Sequence, residues 1–353
     1  MAHKSTVSSE NPALAQPKAT TKTQAKAQAK ATNLAKMRAV VIARSQRVEI
    51  CEAPIPEPSA HEVRVRIEGC GVSESNMTVW EGRSWFNYPR DAGAPGREAW
   101  GVIDAVGREV KSLSPGDRVA ILSYHSFAEY DLARADDVAQ LPDSLNGKPF
   151  PGAALAGAMN VFRRAEIRPG QNVAIIGIGF LGALLTQLVT RAGARVIAIS
   201  RRPYALEVAR GAGAVVTIPM NNHRRIIEEV VELTSSECCD RVIEVIGEQW
   251  PLDLAAELTR ERGRLIIAGY HQDGPRQVNM QLWNWRGLEV INAHERDPRV
   301  CVAGMREAVE AVAQGRLKLD PLYTHNFELD RIDQAMKMMR SRPEGFLKAL
   351  VTI

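Results

Sequence analysis

The chain has 353 residues, 45% of them apolar and 24% charged, with a formal net charge of +4. That is enough apolar material for a large core and two domains, while no stretch approaches the roughly 18 consecutive apolar residues of a membrane-spanning helix. Six Lys and one Glu fall within residues 1–36, leaving the remainder of the chain at −1, so no nucleic-acid partner is expected, since that would require a clustered cationic face.

The first 36 residues are rich in Ala, Lys, Thr and Gln and cannot bury enough to fold alone, so they are read as a solvated tail. Lys22, Lys26 and Lys30 would share a helical face and repel. No Arg precedes Arg38 and no apolar h-region is present, against a mitochondrial or a secretory targeting peptide. Residues 37–43 predict a strand. After a turn carrying Pro54, Pro56 and Pro58, residues 61–69 alternate Val63, Val65 and Ile67 with polar neighbours, the period of an antiparallel strand with one wet face. Shorter strands are predicted over 101–106 and 117–122.

Beyond Pro151 the rhythm changes to alternating helix and strand: helix 153–165, a strand ending at Ile176, strand 195–200, helix 204–211, and strands 241–245 and 264–268. This pattern predicts an α/β fold with a doubly wound parallel sheet. Two amphipathic helices follow, 301–314 ending at Gly315, and 329–340. In the second, Leu329, Ile332, Ala335, Met336 and Met339 form a stripe read as core. Five cysteines, Cys51, Cys70, Cys238, Cys239 and Cys301, are odd in number and lack C-x-x-C spacing, which fits a reducing cytoplasm.

The most informative segment is 172–182, Asn-Val-Ala-Ile-Ile-Gly-Ile-Gly-Phe-Leu-Gly. The apolar run ends in Gly177-x-Gly179-x-x-Gly182 and a helix-forming stretch follows at once. Gly177 permits the tight turn, Gly179 lets backbone N–H groups approach a pyrophosphate, and Gly182 brings helix against strand. Phe180 and Leu181 contribute the helix N-terminus, where an anion is favoured. The second strand of the unit ends Ser200-Arg201-Arg202. NAD sites place a carboxylate there to hold the ribose 2′-hydroxyl; Ser and two Arg instead offer donors and charge to a 2′-phosphate, so NADP(H) is expected in preference to NAD(H). Gly247 and Gly269, at the ends of later strands, are expected beside the nicotinamide half.

Cys70-Gly71-Val72, Gly96-Arg97-Glu98, Val106-Gly107, Pro115-Gly116-Asp117-Arg118-Val119, the glycine turn and Val242-Ile243-Glu244-Val245-Ile246-Gly247 together resemble the medium-chain dehydrogenase/reductase superfamily, the zinc alcohol dehydrogenases and their relatives. The resemblance runs from about Met37 to the C-terminus. It implies a β-rich GroES-like catalytic domain over 37–155 and 295–353, a Rossmann domain over 156–294 inserted between its parts, and a small-molecule substrate in the cleft between them. A homodimer or homotetramer is also implied, with Trp283 and Trp285 preceding a strand, 289–292, that often sits at the dimer interface in the superfamily.

The departures from the family pattern bear on mechanism. Where zinc members carry a ligand cysteine this chain has Ser73, and the histidine of Gly-His-Glu is Arg97, which is always protonated and cannot ligate a cation. The further ligand expected on the next helix falls at Ala153 or Gly157, so only Glu98 of the usual set remains. A catalytic zinc needs about three protein ligands, and none is expected here; the cysteines of a structural zinc lobe are also missing. Arg97 then stands either as the electrophile that replaces zinc or as a filler of the vacated pocket paired with Glu98 or another carboxylate. Ser75 matches the hydroxyl that begins the family's proton relay, or is an ordinary loop serine; the relay's usual histidine is Thr78. Ser73 as a nucleophile lacks an activating neighbour. Trp80, Trp85, Phe86 and Tyr88 either line an apolar substrate pocket or pack in the core or against another subunit. The expected activity is carbonyl/alcohol interconversion, with quinone or enoyl reduction and a catalytically decayed nucleotide-binding protein as alternatives.

Overall fold

The computed structural model describes residues 35–353. The solvated-tail expectation therefore falls, up to residue 34, outside the described residues. From Met37 the chain builds a seven-stranded sheet, a six-stranded sheet and a two-stranded hairpin.

The hairpin pairs β1 (Lys36–Arg44) with β2 (Arg47–Pro54). β3 (Glu62–Val72) is the centre of the large sheet. Val63, Val65 and Ile67 on one face are buried, and Arg64 on the other pairs with Asp104 and Glu57. Burying each of those aliphatic side chains is worth about 1.5–3 kcal/mol. α1 (Glu74–Glu81) follows directly, then β4 (Glu98–Val106), β5 (Arg118–Leu122), β6 (Tyr130–Arg134) and β7 (Val138–Gln140), all in antiparallel pairings.

α2 (Gly152–Ala165) leads into the second sheet: β8 (Asn172–Ile176), α3 (Phe180–Arg191), β9 (Arg195–Ser200), α4 (Pro203–Gly211), β10 (Val216–Pro219), α5 (His223–Leu233), β11 (Cys239–Glu244), α6 (Gln249–Leu258), β12 (Thr259–Ile267), α7 (Met280–Arg286) and β13 (Glu289–Asn292). All its pairings are parallel and the order is β10-β9-β8-β11-β12-β13. This is the Rossmann order, which reverses between β8 and β11, and ligands bind outside the carboxyl ends of the strands at that point.

α8 (Pro298–Ala313) returns against α2, crossing at Gly304, where a Cβ would lie 3.0 Å from the carbonyl of Ala156. β14 (His325–Glu328), α9 (Ile332–Ser341) and β15 (Ala349–Thr352) complete the first sheet, β15 running antiparallel to β3 with Ala349 opposite Val72 and Val351 opposite Cys70. That return places Lys348 beside the end of β3.

Two of the expected helix boundaries are corrected. α8 begins three residues earlier than expected because the Asp297 carboxylate accepts from the N–H of Arg299 at 2.9 Å and Pro298 occupies the first helical position. Leu329–Arg331 form a separate 3₁₀ turn before α9. The sequence reading passed over the helices α1, α5, α6 and α7 and the strands β2, β6, β7, β10, β14 and β15.

Candidate functional site

The glycine turn has the geometry its spacing requires. Gly177 has φ +101°, and a Cβ there would lie 2.5 Å from Ile246 Cγ1; a Cβ on Gly182 would lie 2.1 Å from the Gly177 carbonyl oxygen. Around Gly179 the space is open. α3 starts without a side-chain cap and without an acidic residue in its first turn, so its first N–H groups and its positive dipole end are available to an anion. These residues fit a dinucleotide pyrophosphate.

The end of β9 differs from expectation in one respect. Ser200 is buried and Arg201 is exposed, with only a long 3.9 Å approach to Glu248. Arg202 is partly engaged: its guanidinium is half-buried and donates to the carbonyl of Phe346 and, at 3.3 Å, to that of Ile178. Burial and the nearby charge of Arg342 pull its pKa below the usual guanidinium value. Arg202 straps the glycine turn to the C-terminal segment with two of its five donors.

At the other end of the cleft Gly247 has φ +88°, and a Cβ on Gly269 would lie 2.3 Å from the Gly247 nitrogen. Two loops touch here without room for side chains. Glu244, fully buried at the end of β11, accepts the N–H groups of Ile246 and Gly247 at 2.6 and 2.7 Å.

On the opposite wall, Ser73 is the N-cap of α1. Its N–H donates to Asn76 Oδ1 at 2.7 Å, and its hydroxyl lies 3.0 Å from that of Ser75. Asn76 is pinned in turn to the carbonyl of Pro95 at 2.7 Å. Arg97 is exposed, lies over the ring of Tyr124 at 5.8 Å, and makes no hydrogen bond or ion pair among the described residues. The Arg97–Glu98 pair considered from sequence is not formed. Glu98 instead accepts from the buried ammonium of Lys348 at 2.5 Å, and Lys348 also donates to the carbonyl of Val72 at 2.9 Å.

Two family profiles match this chain, alcohol dehydrogenase GroES-like domain over residues 59–160 and zinc-binding dehydrogenase over 181–314. The chain belongs to the medium-chain dehydrogenase/reductase superfamily. It is 27% identical to an L-threonine 3-dehydrogenase of Anaeromyxobacter sp. (strain Fw109-5), covering 88% of this chain and 98% of that protein. In structure it is similar to an alcohol dehydrogenase (rspB) from E. coli CFT073 complexed with NADH, with a TM-score of 0.81 at 23% identity, covering 90% of this chain and 99% of that one. It is similar too to a zinc-binding dehydrogenase from Sinorhizobium meliloti 1021 bound to NADP, with a TM-score of 0.78 at 23% identity, covering 90% and 100%.

The superfamily's zinc finds a poor donor set in this chain. Ser73 and Arg97 stand where the resemblance expects two ligands, Glu98 is taken by Lys348, and burial raises the Cys70 thiol far above its ordinary pKa, with the Glu98 charge adding to the effect. Among the described residues no group of three His, Cys, Asp or Glu could hold a metal ion. Of the two positions at which the resemblance expects the further ligand, Ala153 is half-buried and Gly157 is exposed with open space around it.

The aromatic cluster divides. Trp80 is buried in the core and the Tyr88 hydroxyl donates to the carbonyl of Val79, whereas Trp85 is 58% exposed and leans on Phe86 with centroids 5.9 Å apart. Sequence reasoning missed Lys348, whose ammonium lies 4.9 Å from the Phe180 ring and joins the two walls of the cleft. It also missed His271 and Arg276, which extend the Glu244 contacts. Their signal was weak: Lys348 is a single cation just before a largely apolar terminal strand, and Glu244 a carboxylate at the end of a buried one.

Proposed function

We propose that this oxidoreductase interconverts a carbonyl and an alcohol with NADP(H), preferred over NAD(H), and works without a catalytic zinc. The observation that carries the reading is the state of Arg97: a permanent cation at the position of a zinc ligand, exposed and without a carboxylate partner among the described residues. Lys348 neutralises the adjacent carboxylate of Glu98, so the charge of Arg97 remains available to a substrate oxygen.

Bound at the glycine turn, the nicotinamide cofactor supplies or accepts the hydride. Gly177, Gly179 and Gly182 shape the turn, the N-terminus of α3 would hold the pyrophosphate through the N–H groups of Phe180 and Leu181, and Gly247 and Gly269 would border the nicotinamide half. Ser200 and Arg201 favour a 2′-phosphate, with no carboxylate at 200–202 to repel it. Arg97 stabilises negative charge on the carbonyl oxygen as the hydride reaches its carbon. Ser75, hydrogen-bonded to Ser73, delivers the proton to that oxygen and recovers one from solvent through the Ser73 hydroxyl. Unpaired cysteines support a reducing, cytoplasmic setting, and the exposed flank of β13 supports a homo-oligomer.

The test is steady-state NADPH oxidation by metal-analysed protein across aldehydes, ketones and conjugated enones, with Arg97→Ala alongside. Turnover of aldehydes or ketones without bound zinc, and a kcat loss of about 10²–10³ in the variant, is expected. One equivalent of tightly bound zinc, turnover of enones alone, or an Arg97→Ala enzyme as fast as the parent would overturn it.

A further inference from the structure

The loops after β11 and β12 are joined by a chain of side chains outside the roles assigned above. Glu244 Oε2 lies 3.1 Å from His271 Nε2, and His271 Nδ1 lies 3.0 Å from Arg276 Nε. Arg276 Nη2 donates to the carbonyl of Gly247 at 2.9 Å and also to Asp273. A guanidinium can only donate, so Nδ1 must be the acceptor, and the imidazole proton sits on Nε2 and is given to Glu244. Gly247 is thus held at both polar groups: its N–H by Glu244, its carbonyl by Arg276, with His271 linking the two holders.

We propose that His271 is a positioning residue that locks the Gly247 turn against the nicotinamide half of the cofactor, and that its protonation releases the lock. This rests on the cofactor reading given above. A second proton on Nδ1 would present a donor to the Arg276 Nε–H and set two cations side by side, so the His271–Arg276 bond is lost. The charged groups facing this chain are Glu244 from β11, Arg276 and Asp273 from the loop after β12, and Arg83 from the segment after α1, whose charge reaches Asp273. The Arg276 bond holds Asp273 below the usual carboxylate range, so acid leaves that anchor in place and frees the contact at His271. The cofactor-bound state therefore prefers a neutral His271, and affinity falls as pH falls.

The experiment titrates NADP⁺ and NAD⁺, both stable in acid, into full-length wild type, His271→Gln and His271→Leu at about pH 8 and about pH 5.5, the range in which imidazoles ordinarily titrate. Wild type should lose roughly tenfold in affinity in acid, the scale of a lost charge-assisted bond. His271→Gln keeps one donor and one acceptor and does not titrate, so it should bind comparably at both values. His271→Leu should bind weakly at both, with thermal melts showing whether it is folded. The same acid loss in His271→Gln as in wild type, or undiminished binding by folded His271→Leu, overturns the inference while leaving the cofactor reading intact. Failure of wild type to bind either dinucleotide at any pH overturns both.

Discussion

Lys348 and Glu98 show how one buried residue can set the chemistry of its neighbours. Both side chains are withdrawn from water, at 4% and 8% exposure, a state that charged groups tolerate only when paired. The pairing consumes the last familiar metal donor and leaves Arg97 without a competing carboxylate. Removing one partner should therefore cost far more than removing both. Lys348→Met, which strands a buried carboxylate, is expected to destabilise by about 3–5 kcal/mol, and the double variant Lys348→Met/Glu98→Gln by much less. Denaturant midpoints for the two single variants and the double variant close the cycle; additive losses would show that the pair is not a coupled unit. The same residue explains a limit of sequence reading. Neither Lys348 nor Arg202 advertises its partner, because the partners lie 250 and 144 residues away and come together only when β15 returns beside β3.

At the scale of elements, the glycine turn separates two roles that the motif merges. A Cβ on Gly182 would press into the Gly177 carbonyl at 2.1 Å, whereas a Cβ on Gly179 meets nothing within 4 Å. Gly182→Ala should therefore destabilise the fold by about 1–3 kcal/mol through overpacking. Gly179→Ala should leave the melting temperature near that of the parent and weaken dinucleotide binding by about tenfold or more, since the open space is where a pyrophosphate must approach the backbone. Thermal melts and cofactor titrations on the two variants check this, and a folded Gly179→Ala protein with parental affinity would refute the assignment. This turn, β3 and the parallel strands were legible because period and glycine spacing are local signals. α1 was passed over although the Asn76 side chain reaches back to the Ser73 N–H at its start, because the family comparison read Ser73 as a lost ligand. α5 and α6 form faces against a sheet whose register only the fold supplies.

For the whole molecule, the two edges of the parallel sheet are unequal. β10 ends in Pro219, which removes a donor from the ladder, and spans four residues. β13 also spans four, but it carries no proline or lysine, and the helix before it leaves Trp285 83% and Met280 51% exposed. An open, apolar-flanked edge without such protection is a site for strand pairing, and a second copy of this chain offers the same edge about a two-fold axis, the commonest symmetry of homo-oligomers. The exposed indole would then be a buried anchor, the residue type that dominates such interfaces. The native protein is expected to sediment as a dimer or tetramer at micromolar concentration, and Trp285→Arg/Met280→Arg to shift it to monomer while its far-ultraviolet circular dichroism is kept. A wild-type protein that sediments as a monomer, or a double variant with unchanged mass, would remove β13 as the assembly edge; its exposed tryptophan would then need a different partner.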